Sequence, residues 1–129
     1  MMESYVYVFK NDSLEEMHKI TNSYNSIPFM LFTKCTKPFK ALGENKDGYY
    51  FSSPYFALKN QSLNSFCIEL MLLEPVGIDG CLVEYPESFY SLRTTKSNII
   101  ISTVDISGIQ LFSSKYVNRE IIDHCSKDD

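Results

Sequence analysis

Phe66 to Leu73, Phe-Cys-Ile-Glu-Leu-Met-Leu-Leu, is the stretch that most limits the folds open to this sequence. Its eight residues carry one charge, Glu69, and are nearly continuous in apolar character rather than alternating. A helix that spans a bilayer needs about 20 such residues, so this run is too short for one. It fits a central β-strand covered on both faces. Such a strand needs neighbours. At 129 residues and 44% hydrophobic composition the chain can supply them, because a domain of this size buries roughly two thirds of its unfolded surface without metal or disulfide staples.

The neighbours can be read along the chain. Tyr5 to Phe9 alternates aromatic and valine residues, the chemistry of a strand with two unlike faces. Ser13-Leu-Glu-Glu16 has the form of a capping box, and Leu14, Met17, Ile20 and Thr21 supply the apolar stripe of a helix that ends at Asn22 to Asn25. Pro28 to Thr33 reads as a second strand, followed by an irregular basic stretch in which Lys34, Lys37 and Lys40 flank Pro38. Asn45 to Gly48 is a turn signal that feeds a short strand, Tyr49 to Ser52. Ser53-Pro54 has the form of an N-cap with proline at the first helical position, which predicts a helix to about Ser62. Beyond the apolar run, a turn at residues 76–80 leads to a strand over Cys81 to Tyr85 and a helical turn over Pro86 to Leu92. Asn98 to Val104 and Ile109 to Phe112 are strand-like, and Tyr116 to Cys125 has the spacing of a terminal amphipathic helix. The expected fold is a single α+β domain over residues 1–129, a mainly antiparallel sheet of about six strands with two or three helices packed on it.

Catalytic and metal-binding patterns do not emerge. His18 and His124 lie near opposite ends of the chain and belong to no H-x-x-H or H-E-x-x-H pattern. No Walker loop, G-x-S-x-G elbow or G-x-G-x-x-G is present. Cys35, Cys67, Cys81 and Cys125 form no C-x-x-C pair and are read as reduced, with Cys67 and Cys81 acting as small hydrophobes in strands. The first ten residues lack the basic and apolar regions of a secretory signal, so a cytoplasmic location is expected. The expectation is therefore a non-enzymatic protein with no cofactor and no metal.

One stretch resembles a known family. Asp47-Gly-Tyr-Tyr-Phe-Ser-Ser53, then Ala57 on the predicted helix and the strand at Phe66, is similar to the strand, Ser-rich turn and helix of ADP-ribosyltransferases. The resemblance covers about 25 residues and implies an NAD-binding fold. Such enzymes carry an Arg or His on an early strand and a late catalytic Glu. Tyr5 to Phe9 has neither basic residue and Asn98 to Val104 has no acid, so the resemblance implies a degenerate, inactive member.

Charge is distributed unevenly. The sum is 12 cationic against 16 anionic residues, or −4. Seven lysines and six acids precede residue 65, giving +1, whereas five basic residues and ten acids follow, giving −5. No Lys or Arg occurs from Asn60 to Leu92, a window that holds Glu69, Glu74, Asp79, Glu84 and Glu87. Tyr85, Phe89 and Tyr90 add aromatic types that anchor interfaces. These eight residues are the candidate partner-binding site. An acidic patch steers a basic partner and does not grip nucleic acid. The sequence thus predicts a small acidic inhibitor or immunity-type protein that neutralises a basic toxin or nuclease. The degenerate NAD-binding domain is the alternative, and homo-oligomer formation or membership of a larger assembly through unprotected edge strands is a third reading.

Overall fold

A computed structural model describes residues 4–8, 27–60, 67–104 and 106–122. Among these residues eight strands make up nearly all the regular structure: β1 (Ser4–Val8), β2 (Phe29–Thr33), β3 (Ala41–Glu44), β4 (Tyr50–Ser53), β5 (Phe56–Asn60), β6 (Cys67–Val76), β7 (Ser91–Ser102) and β8 (Ile106–Phe112). Six form one antiparallel sheet in the order β1-β8-β2-β5-β6-β7, and β3 and β4 form a separate hairpin.

Residues 67–73 of the apolar run lie in β6, between β5 and β7, and alternation assigns their side chains to two cores. Ile68, Leu70 and Leu72 join Phe29, Leu31, Phe56, Ile109 and Leu111 in the first. Leu73 joins Met30, Tyr55, Phe89, Phe112 and Tyr116 in the second. Burial on both faces is what a nearly continuous apolar strand requires.

The sheet must curl strongly. Ser102 to Ile106 advances four residues, at most about 14 Å of chain. Yet β7 and β8 are four places apart in the sheet order, about 19 Å at the usual strand spacing if the sheet were flat. Curling brings the two together, and Ile99 and Ile101 of β7 pack on the same cluster as Ile106 and Ile109 of β8. The β3–β4 hairpin closes this side with Ala41 and Phe51. Gly43 permits the approach, since a Cβ there would overlap Leu72 and lie 3.0 Å from the Ser97 side chain. The Ser97 hydroxyl accepts from the Glu44 N–H at 2.9 Å and donates to the Glu44 carbonyl at 3.2 Å, fixing the hairpin to β7.

The expected α+β class is corrected to a mostly antiparallel β fold: the helical structure among the described residues is two 3-10 turns, Lys34–Thr36 and Ser114–Tyr116. Ser53-Pro54 does not start a helix. The Ser53 hydroxyl accepts from the Tyr55 N–H at 3.0 Å, as a cap would, but it also donates to the Leu73 carbonyl at 2.7 Å, and the chain continues into β5. Phe56 and Ala57 then bury into opposite cores, which an extended strand achieves and a helical turn does not. Pro86 begins no helical turn either: residues 85–90 form a turn and bends, and the Glu87 N–H closes a β-turn on the Glu84 carbonyl. Residues 81–85 form only an isolated bridge, Val76 with Leu82. After Tyr116 the chain bridges Leu92 through Val117 instead of entering a helix. The capping box at Ser13, His18, His124 and the end of the predicted terminal helix lie outside the described residues.

Candidate interaction surface

The eight residues singled out from the sequence are divided among three places. Glu69 is half-buried near the start of β6, opposite Ile100 of β7. The loop after β6 begins beyond Val76, seven positions further on and roughly 23 Å along an extended strand. Glu69 therefore stands apart from the acids of that loop.

Glu74 is in the interior, 5% exposed and in register with Arg93. Its carboxylate accepts from the Asn45 side-chain amide at 3.0 Å. The same Asn45 accepts through Oδ1 from the N–H groups of Asp47 and Tyr49, at 3.0 and 2.9 Å. The hairpin turn is thereby fastened over Glu74, and a polar cleft of about 240 Å³ beside it includes Asp47 and Arg93.

Asp79, Glu84, Tyr85, Glu87, Phe89 and Tyr90 share the loop over residues 77–90. It is stitched to the end of β6 by the Val83 N–H on the Pro75 carbonyl and the Tyr90 N–H on the Val76 carbonyl, at 3.0 and 2.8 Å. Asp79 is exposed, and its carboxylate accepts from the Cys81 N–H at 3.0 Å inside the turn that Gly80 closes with φ 79°. Glu84 and Glu87 are exposed. Phe89 points inward: it is 5% exposed and meets Tyr55, Tyr116 and Phe112 edge-on at centroid distances of 4.8, 5.3 and 5.5 Å.

Cations absent from the linear window reach this loop in space. The Arg119 guanidinium lies 4.0 Å from the centre of the Tyr90 ring, and the Lys40 ammonium 5.3 Å from that of Tyr85. Lys40, Tyr50, Pro54, Glu84 and Tyr85 line a cleft of about 340 Å³ between loop and hairpin. The loop surface is therefore of mixed sign. Beneath it Tyr55 is 3% exposed, and its phenol is pushed up from 10.0 to about 12, chiefly by burial and then by the neighbouring Tyr85.

The expectation of reduced cysteines is corrected at Cys81, which is disulfide-bonded. Cys67, half-buried, remains a thiol. Among the described residues no three His, Cys, Asp or Glu side chains group as a metal site, and no helix is long and apolar enough to cross a membrane.

Sequence reasoning missed the exposed apolar positions. Leu42 and Tyr50 on the hairpin are 69% and 73% exposed, and Ile100 on β7 is 62% exposed. The signal for Ile100 was its place in an isoleucine run on a strand; what hid it was strand order, which alone makes β7 an edge.

Among curated proteins and solved structures nothing matches the chain. The family model described as spore coat protein Z matches residues 8–108. This finding overturns the inhibitor or immunity-type reading and the NAD-binding alternative. The latter also fails locally, since the Ser53 turn leads to a strand where its resemblance required a helix. The cytoplasmic expectation is corrected as well, because the family points to the spore coat. With more than three quarters of its length matched, this chain belongs to the spore coat protein Z family.

Proposed function

We propose that this chain is a structural component of the spore coat that works by binding other coat subunits, copies of itself included. The observation that carries the reading is the family match over residues 8–108. The fold is consistent with it. Two cores on opposite faces of one sheet make a stiff unit, and exposed Leu42, Tyr50, Ile78 and Ile100 leave apolar contacts for neighbours. A chain of mixed surface sign suits packing among similar subunits better than capture of one strongly basic partner.

Fractionation of sporulating cells with an antibody to this chain tests the reading. The chain is expected in the coat extract, and deletion of its gene should thin or remove a coat layer in electron micrographs. Recovery from the cytosol alone, with an unaltered coat in the deletion strain, overturns it.

A further inference from the structure

Among the described residues β7 is the last strand of the sheet, and its outer edge differs along its length. At its start, Val117 bridges Leu92, the Asn118 N–H donates to the Leu92 carbonyl, and the Thr94 N–H donates to Asn118 Oδ1. From Asn98 to Ser102 the only ladder partner among the described residues is β6. Alternate residues of an antiparallel strand turn their N–H and C=O groups away from the neighbour, so among the described residues this edge has no backbone partner on its outer side. Charge, proline or a bulge ordinarily blunts such an edge. Asn98-Ile-Ile-Ile-Ser102 contains no charge, proline or glycine, and Ile100 at its centre is 62% exposed.

The segment is also symmetric in chemistry, polar-Ile-Ile-Ile-polar in either direction. We propose that a second copy of this chain pairs with it, β7 against β7 and antiparallel, about a two-fold axis through Ile100. This deepens the coat reading, on which its biological use rests. The register sets Ile100 opposite Ile100, Ile99 opposite Ile101, and Asn98 opposite Ser102. Lys96 faces Val104, so no like charges meet. Moving the axis by one residue sets Ile100 against Asn98 or Ser102, and the isoleucine match is lost. A two-fold contact of this kind is self-complementary and closes, joining two six-stranded sheets into one. Five residue pairs form a small seam, well under the roughly 1,200 Å² of a standard interface. The isolated dimer is therefore weak and gains from further contacts in an array.

Sedimentation of the purified full chain at concentrations up to about 1 mM provides the test. Wild type and Ile100→Val should dimerise alike. Ile100→Lys places two ammonium groups opposite each other and should weaken the dimer about tenfold or more, as should Ile100→Glu. Mixing these two variants should restore dimers, which separates loss of the seam from loss of folding. A wild type that stays monomeric throughout overturns the proposal. So does an Ile100→Lys dimer as tight as wild type, or a mixture that fails to recover. The coat reading fails separately: a monomeric chain found in the coat removes only the seam, and a dimer pairing through Ile100 but absent from the coat removes only the coat role.

Discussion

Two residues show how tightly the two cores are specified. Tyr55 is held in its neutral form, its phenol pushed up from 10.0 to about 12 by burial and by Tyr85. A raised acid contributes stability that is complete below pH 10 and is lost as pH rises from 10 through about 12, where the buried phenol must ionise. Following tyrosinate absorbance against pH should therefore reveal a late component that Tyr55→Phe removes. That variant should also unfold less readily in the same alkaline range, because its ring still packs on Phe89 and Phe112. Gly43 shows the opposite constraint, a missing side chain. A Cβ there meets Leu72, which is fully buried, and Ser97, which is engaged with Glu44. Gly43→Val should cost about 1–3 kcal/mol in urea unfolding, with the hairpin displaced from β7.

Elements were legible where their signal was local. The apolar run at Phe66 to Leu73 marked β6, and Asn45 to Gly48 marked the hairpin turn, because two-sided burial and an Asx turn each write themselves into consecutive residues. Asn45→Ala should remove the one oxygen that accepts from two backbone N–H groups and leave Glu74 without its amide donor. A loss of about 1–3 kcal/mol in urea unfolding is expected, with amide exchange accelerated in β3 and β4 more than in β6. Ser53-Pro54 was misread because a serine that accepts from a nearby N–H opens helices and turns alike. The Leu73 carbonyl, twenty positions away, decided between them. Long-range contacts also decide where the candidate acids stand. Their clustering in sequence was real, but β6 separates Glu69 from the loop, Asn45 covers Glu74, and Arg119 and Lys40 enter from distant parts of the chain.

At the scale of the molecule, the net charge of −4 bears differently on the proposed coat role than on capture of a basic partner. Copies of an acidic protein repel, and salt screens that repulsion over about 10 Å at 0.1 M. Self-association should thus strengthen modestly as salt is added, whereas binding to a basic partner would weaken; sedimentation at low and moderate salt distinguishes the two signs. The sequence by itself determined the two-faced burial of β6 and the turn at Asn45, since each depends on consecutive side chains. Tertiary structure alone decided that Ser53 opens onto a strand, that Phe89 and Glu74 turn inward, and that the isoleucine run lies on an outer strand. Those outcomes depend on which strands become neighbours when the sheet curls, and a linear pattern does not encode neighbours.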